Sequence, residues 1–326
     1  MLNIFLKHLK NLQLSNNLFL ASKRNTNYNK IWIRDNLYIS LAFEAIEDNF
    51  TTQQIFHSLL DIMLKFEWKI DYAINEKPTE DYQFIHPLYT KNMEEIKESW
   101  GWKQNDAIGG LLFHIGMLND KCNIIRNEKD MNIIKKLAHY LYSIKYWEDE
   151  DNGMWEENKE IHASSVGACT AGLCSIRNII HVPDSLIKKG EEALNNLLPN
   201  ESKTKNTDLS LLSLIYPYNI VNNTQTQEIL KNIEENLIRN KGTIRYIGDN
   251  YYKENTEASW TMGFPWLAII YKLMKNEEKY IHYLKKTFEV INDNGEMTEL
   301  FINDETPNEN TPLGWSQALL INAITI

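Results

Sequence analysis

The sequence predicts an all-α fold, an (α/α)6 toroid of six helical hairpins, on three observations. Apolar residues recur at i, i+3, i+4 and i+7 through about twelve segments. Period-two alternation is confined to short stretches such as Gly242 to Ile247. The loops between helices alternate between short and long, as pairs closed into a ring require. An open superhelix of helix pairs is the competing architecture, and the lack of a fixed-period repeat weighs against it.

In order, the periodic segments are 4–20, 35–47, 52–68, 104–118, 129–146, 160–178, 184–197, 207–216, 225–238, 257–274, 277–291 and 312–325. Asp184 and Thr224 are read as caps at two of the starts. At 326 residues the chain is long for one domain, yet a toroid folds around one centre, so residues 1–326 are expected to form a single domain. Sequence that is 43% hydrophobic with few Gly and Pro suits a packed helical core and excludes disorder.

A net charge of -10 without any long Lys/Arg cluster speaks against a nucleic-acid partner and leaves room for a neutral ligand. Cys122, Cys169 and Cys174 have no C-x-x-C spacing and read as buried thiols in a reducing compartment. Residues 1–22 interleave Lys7, His8 and Lys10 with apolar positions, which predicts an amphipathic helix rather than a signal peptide. No run reaches the roughly 20 apolar residues of a membrane span. A cytoplasmic protein with no membrane partner is expected. His86, His114 and His162 lack metal-ligand spacing, so neither metal nor cofactor is expected.

The chemistry is concentrated in loops rich in Trp, Tyr, Asp, Glu and Asn: 21–34, 69–103, 147–159, 239–256 and 292–311. In Tyr28-Asn-Lys-Ile-Trp32-Ile-Arg34-Asp35, a fork of donors beside an acceptor suits two neighbouring hydroxyls of a sugar, although a helix cap with a salt bridge would have the same residues. Trp147 to Glu157 ends in Met154-Trp155-Glu156-Glu157, where a carboxyl beside an indole can be held protonated as a general acid, against a solvated acidic loop as the bland alternative. In Asn292 to Phe301, Glu296 and Glu299 flank a short apolar stretch after a turn. A glutamate there could hold and deprotonate a water; alternatively the segment is a capping arrangement or a short strand with polar alternation, with Glu296 at the surface. Trp100 and Trp102 could stack on a sugar, whereas Trp266 and Trp315 sit at core spacing.

Together and in this order the segments resemble glycoside hydrolase family 15, the glucoamylases and their relatives, which include glucodextranase, some trehalases and the helical part of phosphorylase kinase subunits. The resemblance runs from about Tyr28 to the C-terminus. It implies that Trp32-x-Arg34-Asp35 grips the terminal glucose, that Tyr28 stabilises positive charge near the reacting ring, and that Trp100 stacks within Ser99-Trp100-Gly101 ahead of Gln104-Asn105-Asp106. It further implies that Glu156 is the general acid, that Glu157 touches the adjoining sugar, that Arg245 lies on the leaving-group side, and that Glu299 is the general base, followed by a helix start at Trp315-Ser316. Two positions depart from the family: Leu300 replaces a common Gln after the base, and Leu88 stands where an arginine is found.

The implied reaction is single displacement with inversion, releasing β-glucose from the non-reducing end of an α-glucoside, with the two carboxyls about 6.5–9.5 Å apart to admit a water. Glu156 is expected to have its pKa raised by apolar burial and by Glu157, while Glu299 stays ionised. With neither a starch-binding module nor a β-sandwich in the sequence, short soluble oligosaccharides are the expected substrates. A glucan-binding regulatory module is the alternative function. A metal-dependent cyclase on a similar toroid would need an Asp cluster or a His/Cys zinc set, which is not apparent.

Overall fold

The computed structural model describes residues 1–23, 27–98 and 100–326. Ser99, the first residue of the Ser-Trp-Gly segment, lies outside them. Thirteen α-helices are present among the described residues: α1 Leu2–Lys10, α2 Ile33–Ala45, α3 Asn49–Lys65, α4 Glu67–Asn75, α5 Asn105–Cys122, α6 Glu128–Ile144, α7 Ala163–Ser175, α8 Asp184–Leu197, α9 Leu212–Ile215, α10 Asn223–Asn236, α11 Gly263–Leu273, α12 Glu277–Phe288 and α13 Gly314–Thr325.

Twelve of them form a double ring. Going round the inner circle, α2 packs on α5, α5 on α7, α7 on α9, α9 on α11, α11 on α13, and α13 closes back on α2. Outside it, α3 covers α2, α6 covers α5, α8 covers α7, α10 covers α9, α12 covers α11 and α1 covers α13. The six predicted hairpins are therefore present and closed.

Composition decides which helix goes where. Inner helices are apolar all round: α2 buries every residue from Ile33 to Phe43, and α13 every residue from Gly314 to Ala323. Outer helices carry one apolar stripe, so α12 buries only Tyr283 and Thr287, and α10 only Thr226, Ile229, Leu230 and Ile233. Where α5 meets α7 the backbones touch, because a Cβ on Gly109 would stand 2.4 Å from the Cys169 nitrogen and one on Gly172 would stand 2.3 Å from the Gly109 oxygen.

Several boundaries differ from the sequence reading. The first helix stops at Lys10 instead of 20, because Asn17 takes a left-handed conformation (φ 66°) and Leu20 N–H returns to the Leu12 carbonyl. The stretch 69–103 contains a helix: α3 breaks at Phe66, and α4 continues, burying Lys69, Ile70 and Ala73. The segment 257–274 begins as strand, since Ser259–Trp260 pairs antiparallel with Leu300–Phe301, and only Gly263–Leu273 is helical. The cap of α10 is Asn222 in a capping box with Gln225, not Thr224, and Asp184 lies within the first turn of α8, bonded to Arg177. Cys122 and Cys169 are buried thiols and Cys174 is half-buried. No helix among the described residues is long and apolar enough to cross a membrane.

Gly172→Ala is expected to lower stability by about 1–3 kcal/mol through overpacking at the α5–α7 contact. A urea midpoint identical to that of the parent protein would show that the two helices can spread at no cost.

Candidate active site

Inner helices all start at the same mouth of the ring, and the loops that feed those starts carry the polar and aromatic residues. Ile31–Trp32 pairs antiparallel with Leu88–Tyr89, Trp32 opposite Leu88, and the chain passes straight into α2. Asn36 fixes that corner by donating to the Trp32 and Phe19 carbonyls and accepting from Phe19 N–H. Leu88, at the position where the resemblance has arginine, is fully buried and belongs to the core.

Arg34 and Asp35 thus stand in the first turn of α2. The Arg34 guanidinium is gripped from behind: Nε donates to Asp106 Oδ2 (2.6 Å), Nη2 to Asp106 Oδ1 (3.2 Å) and to Gln104. Its remaining arm, Nη1, lies 3.9 Å from Glu156 Oε1. Asp35 is 6% exposed, and burial together with the charges of Glu156 and Glu299 outweighs Arg34, pushing its carboxyl up to about 7.

Glu156 takes a left-handed backbone conformation (φ 64°), as does Gly153 three residues earlier (φ 64°). That costs a non-glycine residue roughly 1–2 kcal/mol and aims the side chain inward. Trp32 Nε1 donates to its Oε1 at 2.7 Å and Trp100 Nε1 to its Oε2. Gly101 lets the Trp100 loop lie against the Glu156 backbone, since a Cβ there would come 2.8 Å from the Glu156 carbonyl oxygen.

Glu299 comes from the other side. It directly precedes Leu300, which pairs with Trp260, and its backbone is held at both ends by Thr261 N–H on its carbonyl and by its own N–H on the Asn310 carbonyl. The side chain is fully buried, with Oε2 accepting from Asn308 (2.5 Å) and Asn310 (2.8 Å). Burial raises its pKa, and the amides of Asn310 and Asn308, with Tyr28 and Arg245, pull it back down.

These groups line one pocket that is open to solvent. Its charged members are Arg34, Asp35, Glu156, Arg245 and Glu299, its aromatic ones Tyr28, Trp32, Trp155, Trp260 and Trp315, and Met154, Met262 and Leu313 complete it. Larger hollows exist on the surface, but this one gathers both predicted glutamates. Trp315 is buried, as an aromatic at core spacing should be, and stacks on Tyr38 at 4.5 Å while still facing the pocket.

Three predicted binding residues stand behind the pocket lining. Trp100 bonds Glu156, Asp106 bonds Arg34, and Glu157 bonds Arg245. The Glu157 carboxylate is fully engaged, with Arg245 Nη2 at 2.9 Å on Oε1 and both Tyr246 Oη and Lys205 Nζ at 2.7 Å on Oε2, so it braces Arg245 rather than reaching into the pocket. Trp102 is no platform there: it is buried and stacked on His86 at 4.2 Å.

The acidic run before Glu156 is half solvated, with Glu148 and Glu150 exposed and Asp149 and Asp151 buried. Asp149 takes Lys103 and Asn105, and Asp151 caps the start of α5 by accepting from Asn105 N–H (2.7 Å) and from Ser165 Oγ. Glu201 does the same for α7, accepting from Ser164 N–H, with His162 Nδ1 at 3.3 Å from Glu201 Oε1. Sequence reasoning passed over Trp155, Trp260 and the Asn308/Asn310 pair as site members. Trp155 was visible as a tryptophan in an aromatic loop and Trp260 fell within the predicted helix 257–274, whereas the two asparagines gave no signal until the loop folded back on Glu299.

Fold and pocket define a class: double-ring helical toroids with a carboxylate- and indole-lined hollow at the mouth where the inner helices start. The structure superposes with a TM-score of 0.84 on a wild-type glycosidase at 14% identity, covering 99% of this chain and 96% of that one. It superposes at 0.73 on a bacterial glucoamylase complexed with acarbose, at 16% identity over 99% of this chain and 55% of that one. Residues 18–261 match the glycosyl hydrolases family 15 model, and the chain belongs to that family.

Among curated relatives, an uncharacterized glycosyl hydrolase of Methanocaldococcus jannaschii is 25% identical across 93% of this chain and 52% of its own length. The rabbit skeletal muscle phosphorylase b kinase regulatory subunit alpha is 28% identical over 68% of this chain, and a probable phosphorylase b kinase regulatory subunit alpha of Caenorhabditis elegans 22% over 89%. The chain spans only 21% and 30% of those two subunits.

Burial alone would lower His162, but its Glu201 hydrogen bond and the Asp151 charge outweigh that and hold it at about 9. A folded value above the unfolded one, about 6.5, contributes stability fully below pH 6.5 and loses it as pH rises toward 9. His162→Gln is expected to flatten the fall in unfolding free energy across that window. Parallel curves for the two proteins in pH-dependent urea melts would exclude an imidazolium at this site.

Asp106→Ala strips Arg34 of its counter-charge in a buried setting and is expected to cost about 3–5 kcal/mol. The same urea titration measures it, and a cost below about 1 kcal/mol would mean that water reaches the guanidinium.

Proposed function

We propose that the chain is an inverting α-glucosidase acting on the non-reducing end of short neutral α-glucosides. The observation that carries this reading is that Glu156 and Glu299, from loops 143 positions apart in sequence, line one pocket together with Arg34, Asp35 and a wall of indoles. Family membership and a toroid like that of an acarbose-bound glucoamylase support it.

In this reading Glu156 protonates the departing glycosidic oxygen while Glu299 takes a proton from a water on the opposite face of an oxocarbenium-like centre. Arg34, locked by Asp106, and Arg245, locked by Asp249 (2.6 and 2.7 Å) and Glu157, act by orientation, because both line the pocket while carboxylates outside its lining hold them. Arg245 itself lies over the Trp260 ring at 4.8 Å, which fixes the plane of the guanidinium. Asp35 and the indole faces complete a surface with acceptors for hydroxyls and apolar planes for the sugar ring. In the same reading residues 1–326 act as a catalytic domain that needs no cofactor.

The similarity to phosphorylase kinase regulatory subunits favours a second reading, a glucan-binding module without turnover. One experiment separates the two: proton NMR of the protein with maltose, isomaltose or trehalose, beside Glu156→Gln and Glu299→Gln. The glucosidase reading expects early β-glucose from one sugar, reduced about 10²–10⁴-fold in each variant. Saturable shift changes without glucose release would establish the binding module instead, and early α-glucose would rule out inversion.

A further inference from the structure

Within the pocket, Glu299 is a carboxyl whose two oxygens keep different company. Oε2 accepts from the amides of Asn308 and Asn310, both buried, at 2.5 and 2.8 Å. Oε1 has no hydrogen bond of good geometry among the described residues, although Tyr28 lies close enough to act on the carboxyl.

Asn308 is itself oriented. Its Oδ1 lies 3.3 Å from the Thr298 hydroxyl, which in turn lies 2.8 Å from the Thr311 hydroxyl. Turning the amide over would set Oδ1 against a carboxylate oxygen and its NH₂ against a hydroxyl that has other donors nearby, so this network selects the orientation with Nδ2 on Glu299. Asn310 also accepts the Glu299 N–H through its carbonyl at 3.1 Å, tying backbone and side chain of the glutamate to one loop.

We propose that Asn308 and Asn310 are positioning residues that divide the two oxygens of Glu299, the amides holding Oε2 so that Oε1 is the oxygen that takes the proton of the attacking water. This rests on the reading of Glu299 as general base. In that step the water oxygen forms the bond to the anomeric carbon and gives one proton to Oε1. The glycosidic C–O bond breaks with its electron pair going to the leaving oxygen, which takes the proton of Glu156.

A carboxylate bound by two amides has one oxygen fixed in place and the other free for a water at a set position, which is how a residue that never touches substrate affects turnover. The amides also favour the charged form against burial. Facing Glu299 from other segments are Arg245, which favours its charge, and Asp35, Tyr28, Tyr251 and Tyr252, each of which Glu299 in turn opposes ionising.

The test is steady-state kinetics of Asn308→Ala and Asn310→Ala on the sugar that the parent protein cleaves, across pH. Each variant is expected to lose about 10- to 100-fold in kcat with KM nearly unchanged. Each should also move the acid limb of the kcat/KM profile to higher pH. A loss of kcat with an unmoved limb, or no loss, overturns the proposal. Should Asn308→Ala fail to fold, Thr298→Val, which removes only the hydroxyl behind Asn308, should shift the limb less and in the same direction. Carbon NMR titration of labelled glutamates, with Glu299 assigned through Glu299→Gln, needs no turnover. If the parent cleaves none of the sugars, the base reading fails, while an upward-shifted Glu299 titration in the variants still supports the amide tie and an unshifted one overturns it.

Discussion

The structure depends on pairing the cationic side chains that it buries around the pocket. Arg34 is 4% exposed, and its desolvation would be prohibitive alone. Asp106, from the first turn of α5, answers it with a two-point grip, which ties α2 and α5 together at the end where both begin. Lys103 with Asp149, Arg245 with Asp249 and Glu157, and His162 with Glu201 repeat the arrangement around the ring. Arg34 and Arg245, the two arginines of the pocket, are held by Asp106, Asp249 and Glu157, which do not themselves line the hollow. Removing one partner leaves the other stranded in low dielectric, and this makes the outer layer of residues as consequential as the lining.

The ring supplies the frame for these pairs. Inner helices apolar on every side leave no room for charges along their length, and charges therefore collect at their ends. Helix starts also present unpaired N–H groups, which Asp151 on α5 and Glu201 on α7 satisfy. A buried carboxylate at such a start is stabilised by the partial positive charge there, so the mouth where the inner helices begin is the end that can tolerate acidic loops. That the long loops are acidic and aromatic is thus a consequence of where they must attach.

Much of this was legible in the sequence, and the parts that were not share a cause. Periodicity located the ring helices because burial is what writes periodicity. It failed at residues 11–20, where apolar Leu12, Leu18, Phe19 and Leu20 are buried in extended and turn conformations, and at 257–262, where Trp260 is buried as strand. Apolar content alone cannot tell those states from helix. Short motifs located Arg34, Asp35, Glu156 and Glu299, since their residue types are demanded by chemistry. Asn308 and Asn310 lay in a polar stretch that reads as ordinary loop, and only the hairpin formed by Leu300–Ile302 and Thr306–Pro307 brings them onto Glu299. In the acidic run 148–151, charge density alone would suggest solvent; Glu148 and Glu150 are exposed, whereas Asp149 and Asp151 are buried against partners far away in sequence.

If Glu156 and Glu299 divide the work as proposed above, position in the fold, rather than burial alone, has to set the division of acid from base. By exposure the assignment would be reversed: Glu299 is completely enclosed and its pKa is raised, while Glu156 keeps 15% of its side chain accessible. Enclosure, however, is opposed at Glu299 by two amides on one oxygen and by the Arg245 charge, so that ionisation there is assisted by fixed dipoles rather than by water. Glu156 is held by indole N–H groups on a strained backbone between two loops, the sort of placement that fixes direction at some cost in stability. A base that must hold water gains from a rigid, dry, donor-rich seat, and an acid that must reach a departing oxygen gains from standing nearer the opening. The surroundings of the two carboxyls differ in that sense, and those surroundings come from the loops that the ring brings to one mouth.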